Sequence, residues 1–207
     1  MSPSSHPTVS GDTPDVIELF RVIQGLLPKA TIFEGTIVRS VGAKYATLAS
    51  FFSGAGAEKT GGRWNRPGIE AVYASLDILT ATNEAYQNLL HYRMPLSSIR
   101  PRVTAGARVA LSTVMDLTDS AVRRRLGFTV RELVEEDWRS LQHSGVESWT
   151  QAIGRGCFLA GFESMVVPSA RNHGGKNIVL FPKNLHKSSK LEILGASELR
   201  SPNSILQ

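Results

Sequence analysis

Five glycines fall between Ser53 and Gly68, at positions 54, 56, 61, 62 and 68. That density argues against regular structure across the segment, because glycine loses the most backbone freedom on ordering and offers no side chain to pack. The same property lets the main chain approach a ligand closely. In the second half of the segment, Gly61-Gly62-Arg63-Trp64-Asn65-Arg66-Pro67-Gly68 sets a guanidinium, an indole and an amide in one turn. The apolar run Ala71-Val72-Tyr73-Ala74 and a helical segment containing Glu84 follow at once. A flexible turn, a permanent cation, aromatic surface and a carboxylate at such short range are what a charged aromatic ligand needs.

Periodicity organises the rest of the chain. Val16 to Leu27 carries apolar residues at helical spacing and stops before Pro28, which predicts a short amphipathic helix. Thr31 to Val38 is rich in β-branched residues and predicts a strand delivering Arg39 at its end. Val72 to Ala74 reads as a short buried strand and Leu76 to Leu90 as the helix after it. Ile99 to Val103 and Ala107 to Met115 read as strands, and Asp119 to Leu126, Val130 to His143 and Ser148 to Ala160 as helices. Thr129-Val130-Arg131-Glu132 has the form of an N-cap followed by an acidic residue. Ser164 to Pro168, Asn177 to Phe181 and Lys190 to Leu194 close the chain as strands. Strands at the start, middle and end with helices between them predict an α+β fold with mixed or antiparallel sheets, not a regular βαβ alternation. Residues 1–14, rich in Ser, Pro, Thr and Gly, have the composition of a disordered tail. No repeat or linker divides residues 15–207, which are expected to form a single domain.

Composition narrows the class. With 207 residues, 42% hydrophobic and 20% charged, the chain can bury a core as an ordinary globular protein. The net charge of +5 favours anionic ligands in general. Arg123-Arg124-Arg125 lacks interleaved aromatics and reads as a solvated helix face, so nucleic acid is not directly expected as a partner. The single Cys157, among small and apolar neighbours, reads as a buried structural thiol and fits a reducing cytoplasm. The five histidines are scattered without ligand spacing, which predicts no metal. No apolar stretch of membrane-spanning length and no secretory signal are visible.

Several of these motifs, taken in order, resemble one family. Phe51-Phe52-Ser53-Gly54-Ala55-Gly56-Ala57, Gly61-Gly62-Arg63-Trp64-Asn65, Val72-Tyr73-Ala74-Ser75, Glu84, Val166-Val167-Pro168-Ser169-Ala170-Arg171 and Asn177-Ile178-Val179-Leu180-Phe181-Pro182 resemble the RES-domain family. The resemblance covers about residues 30 to 195 and rests on ordered motifs rather than one pattern. The family takes its name from an Arg, a Glu and a Ser, which here are Arg39, Glu84 and Ser169. The resemblance implies an ADP-ribosyltransferase-like fold and a bacterial toxin that consumes NAD as a substrate, with no other cofactor. It also implies a helix-turn-helix antitoxin as partner, in a toxin-antitoxin complex or alongside a homo-oligomer.

Under that implication each residue type has a chemical task. Cleavage of the nicotinamide–ribose bond generates an oxocarbenium-like ribose, which a carboxylate stabilises; Glu84 is the candidate and Glu70 its nearest competitor. Diphosphate calls for planar, permanently charged donors, assigned to Arg39 and Arg63. Tyr73 is a candidate for stacking on nicotinamide, and Tyr45 is a second aromatic candidate. Ser169 lacks a base identifiable by spacing, so it is given a positioning role rather than that of a nucleophile. The acceptor of the ADP-ribosyl group stays open between water, phosphate and a macromolecule. A non-catalytic module binding an anion or nucleic acid is the alternative from another class.

Overall fold

The computed structural model describes residues 13–91 and 101–199, with side chains described outside 87–91. The tail expected over residues 1–14 lies almost wholly outside the described residues, as does the start of the strand expected at Ile99.

Helix α1 (Pro14–Leu26) begins on the Thr13 side-chain cap and leads through a 3-10 turn into strand β1 (Thr31–Gly42). Two short helices, α2 (Leu48–Phe51) and α3 (Ala55–Thr60), precede β2 (Val72–Ser75), α4 (Ile78–His91) and β3 (Arg102–Asp116). Four helices follow, α5 (Ser120–Leu126), α6 (Val130–Glu135), α7 (Trp138–His143) and α8 (Trp149–Ala160), and then strands β4 (Ser164–Pro168), β5 (Lys176–Leu180) and β6 (Lys190–Ile193). The expected α+β class with a mixed sheet is what forms.

The strands pair in the order β1-β2-β5-β4-β3-β6, and β1 also pairs with β3. The pairings β1–β2, β2–β5, β5–β4, β4–β3 and β3–β1 therefore run in a closed circuit. All of them are antiparallel except β3–β4, which is parallel from Val114↔Ser164 to Asp116↔Val166. Alternation along the strands sorts the core into two bodies. Ile37, Val72, Ala74, Val109, Leu111, Val166, Ile178 and Leu180 meet in one cluster. Met165, Val167 and Val179 face the other way, onto Ile23 of α1 and Ile153 and Cys157 of α8. Because both faces of β4 are covered, its sequence is a continuous apolar run rather than an alternating one.

Three expectations are revised. First, Arg39 lies inside β1 rather than at its end, because pairing with β3 continues to Gly42↔Arg102. Secondly, the glycine-rich segment holds a helix after all. Gly54 and Gly61, with φ of 74° and 71°, bound α3 at its two ends instead of dissolving it. Thirdly, the helix expected over Val130 to His143 breaks in two. The Thr129–Glu132 capping box starts α6, but Glu136 leaves the helix to accept hydrogen bonds from the Trp149 and Thr150 amides at the start of α8, and Asp137 caps α7. A carboxylate at a helix N-terminus satisfies otherwise orphaned N–H groups, which compensates for ending α6 early.

Helix α8 lies tightly against the turn after α3. A Cβ on Gly154 would overlap the backbone carbonyl of Trp64, so only glycine permits the approach.

Candidate functional site

The glycine turn is fixed from within by Asn65, which is fully buried. Its Nδ2 donates to the carbonyls of Ala57 at 2.8 Å and Ile69 at 2.9 Å, and its Oδ1 accepts the Tyr73 hydroxyl at 2.7 Å. The Tyr73 oxygen accepts in turn from the Trp64 amide at 2.9 Å. Burial pushes the Tyr73 phenol well above its ordinary value, so it remains a neutral strut, while its ring contributes to the wall of a cleft. Trp64, 3% exposed, is a core anchor of the turn.

That cleft measures about 580 Å³, within the range of small-molecule sites. Among the described residues that line it, Glu84 is the one carboxylate, against five arginines: Arg39, Arg63, Arg102, Arg139 and Arg171. The elements bring them from far apart in the chain. Arg39 comes from β1, Arg102 from β3, Arg63 from the glycine turn, Arg139 from α7 and Arg171 from the loop after β4.

Glu84 is held by side chains from the C-terminal strands. Its Oε1 accepts from Ser169 Oγ at 2.6 Å and from Asn177 Nδ2 at 2.7 Å. Ser169 Oγ itself accepts the Arg171 and Asn172 amides at 3.1 and 3.0 Å, so its proton is committed to Glu84. Asn177 Oδ1 accepts from Ser75 Oγ at 2.7 Å. The start of α4 is tied to the same loop: Asp77 accepts from the Thr80 amide and hydroxyl, and Thr80 Oγ1 accepts from Asn172 Nδ2 at 2.8 Å. Ser169, 7% exposed, thus stands behind the carboxylate as a positioning group.

The cations differ in how they are held. One Nη of Arg63 donates to the carbonyls of Leu133 at 2.9 Å and Glu136 at 3.0 Å, at the end of α6. Burial lowers the Arg63 pKa, the Glu136 charge opposes that, and the charges of Arg139 and Glu84 both reach it. Arg102 is braced on Ser40, donating to its hydroxyl at 3.0 Å and its carbonyl at 2.6 Å. Arg39 is different: its Nε and Nη1 are buried and make no hydrogen bond to the described residues. Burial, reinforced by the Arg102 charge, brings its pKa down to about 10, so it stays cationic at neutral pH. A buried guanidinium with unsatisfied donors beside a second cation is an anion-binding arrangement.

Of the residues singled out from the sequence, Arg39, Glu84, Arg63 and Tyr73 line the cleft, and Ser169 hydrogen-bonds Glu84. Tyr45 lies apart from them, 54% exposed in the 3-10 turn after β1, with the Lys44 ammonium over its ring. Glu70 sits in an ion pair with Lys183, away from the cleft lining. Sequence reasoning missed Arg102, Trp138 and Arg139 and read Asn177 as a structural amide. Only the register Gly42↔Arg102 places Arg102, and no local spacing signals it.

The RES domain family model matches residues 36–199. No protein of curated function matches the chain. Among solved structures, a chain of the crystal structure of the M. tuberculosis MbcT-MbcA toxin-antitoxin complex matches with a TM-score of 0.64 and 20% identity, covering 91% of this chain and 98% of that one. At that identity the likeness is one of fold.

Proposed function

This chain belongs to the RES domain family, and from that membership we propose that it is a toxin that consumes NAD by cleaving the bond between nicotinamide and ribose. The observation that carries this reading is the single carboxylate of the cleft, Glu84, fixed by Ser169 and Asn177 and faced by five arginines. A dinucleotide has two phosphates to neutralise and one ribose carbon that becomes electron-poor, and the cleft has many cations and one anion.

In the reaction the N-glycosidic bond breaks with its electron pair moving to the pyridinium nitrogen, which leaves as neutral nicotinamide. The positive charge passes to the ribose, where Glu84 stabilises it and accepts a hydrogen bond from a sugar hydroxyl. Water or phosphate then bonds to the same carbon, and when water does so it passes one proton to the solvent. Arg39 and Arg63 hold the diphosphate so that the ribose meets the carboxylate, and the Tyr73 ring flanks the leaving base. Ser169 and Asn177 keep the Glu84 carboxylate in one orientation, so little reorganisation is needed when charge develops.

The partner follows the same reading: a helix-turn-helix antitoxin that restrains the activity in the cytoplasm. One solved structure of similar fold is that of a toxin-antitoxin complex. No described helix is long and apolar enough to cross a membrane.

Free nicotinamide, followed after adding NAD to the purified protein, tests the proposal. The wild type is expected to release it, and Glu84→Gln to do so at least about 100-fold more slowly while keeping its fold. No release by folded, antitoxin-free wild type, or full activity of the variant, refutes it. NAD labelled in the adenylate half separates the acceptors, since label ending on a macromolecule would mark group transfer rather than hydrolysis or phosphorolysis.

A further inference from the structure

The proposed reading assigns Glu84 to the ribose and arginines to the diphosphate, and leaves the wall formed by α7 without a task. That wall contributes Trp138 and Arg139 to the cleft. The Arg139 guanidinium lies over the Trp138 ring, 4.4 Å from its centroid. A flat cation on an indole is a platform of the kind on which nucleobases stack, through their π-faces and through cation–π attraction.

The platform is mounted rigidly. Asp137 caps α7 by accepting the Ser140 amide at 3.1 Å, and Gln142 at its far end donates to the Thr60 carbonyl at 3.0 Å. Gln151 of α8 donates to Gln142 Oε1 at 2.7 Å and to the Gly62 carbonyl at 3.0 Å, which ties α7 to the glycine turn. Arg63 binds the carbonyls of Leu133 and Glu136, just ahead of Asp137. These tethers hold a helix of only six residues in place, and a stacking surface fixed beforehand loses little freedom on binding.

Arg63 donates to the Glu136 carbonyl, two residues ahead of Trp138, and lines the same cleft as Glu84, Trp138 and Arg139. One cleft thus offers a carboxylate for the ribose of the broken bond, cations for the diphosphate and an aromatic stack for the adenosine.

We propose that Trp138 and Arg139 form the subsite for the purine base of the substrate's adenylate half. This rests on the NAD reading for its substrate, but it is a claim about binding that stands or falls without turnover.

Two measurements test it. AMP, which carries the adenylate half alone, is titrated against intrinsic fluorescence. Trp64 and Trp149 are buried at 3% and 8% exposure, so Trp138 is the indole placed to report. Quenching is expected in the wild type, and AMP binding about tenfold weaker in Trp138→Ala, with Trp138→Phe, which keeps an aromatic face, falling between. Because Trp138→Phe also removes the reporter, affinities in both variants are read by calorimetry. The kinetic test compares NAD with nicotinamide mononucleotide, which has the scissile bond and no adenosine. Trp138→Ala is expected to raise KM about tenfold for NAD and to leave the mononucleotide unchanged. Equal effects on the two substrates, or AMP affinity unaltered in a folded Trp138→Ala, overturn the assignment. If AMP binds as expected and the wild type releases no nicotinamide from either substrate, the subsite stands and the NAD-cleavage reading falls.

Discussion

Arg39 is placed at some energetic expense. Two of its nitrogens are buried without hydrogen bonds and a second guanidinium lies nearby. Replacing a poorly compensated buried charge by an apolar side chain of similar length is often stabilising. Arg39→Met is therefore expected to gain about 1 kcal/mol in denaturant unfolding while raising KM for NAD at least tenfold. A variant that loses stability would show that the guanidinium is compensated in the free protein. The sequence supplied Arg39, Glu84 and Ser169 through the order of their motifs. What it could not supply was the chain of contact from Ser75 through Asn177 to Glu84, because the bond between Asn177 and Glu84 joins residues 93 positions apart. An asparagine in a strand looks the same in sequence whether it orients a carboxylate in a cleft or satisfies a neighbour.

Among the elements, the segment between β5 and β6 is pinned by one acid. Glu163, wholly buried, accepts from the amides of Ser112 and Thr113 on β3 at 2.7 and 3.0 Å, from the His186 amide at 2.9 Å and from the Ser189 hydroxyl. Burial by itself would raise its pKa; the hydrogen bonds from Ser189, His186, Ser112 and Thr113 outweigh that and hold it at about 2, against an ordinary 4.5. A depressed carboxyl stabilises the fold fully above its unfolded pKa, and that contribution is lost as pH falls from about 4.5 towards about 2. Glu163→Gln is expected to cost about 3 kcal/mol at neutral pH and to flatten the acid limb of the unfolding profile. An unchanged limb in the variant would assign acid sensitivity elsewhere. Element types were largely readable from apolar patterning, as in β4, a continuous apolar run whose bounds match the expected Ser164 to Pro168. The break between α6 and α7 was not, because apolar spacing continues across it while the Glu136 carboxylate is drawn off by α8, a tertiary demand with no local mark.

At the scale of the whole molecule, a chain of net charge +5 gathers five arginines in the described lining of one cleft. Attraction of a ligand's diphosphate to such a site weakens as salt screens it over about 10 Å at 0.1 M and about 3 Å at 1 M. The KM for NAD is expected to rise severalfold between about 0.05 and 0.5 M salt, with kcat nearly constant. A flat KM would mean that the arginines act only at contact range. Charge balance pointed to anions from composition alone, but the convergence of these arginines depends on pairings such as β1 with β3, which no local pattern encodes.

The closed circuit of strands also sets an order of events during synthesis. Glu84 emerges from the ribosome well before Ser169 and Asn177, and β4 and β5 complete the ring only when those late residues arrive. Until then the nascent chain holds a carboxylate with neither of those two partners to aim it. A finished cleft thus exists only in the last stage of translation, and a chain cut short ahead of Ser164 lacks both groups that aim the carboxylate.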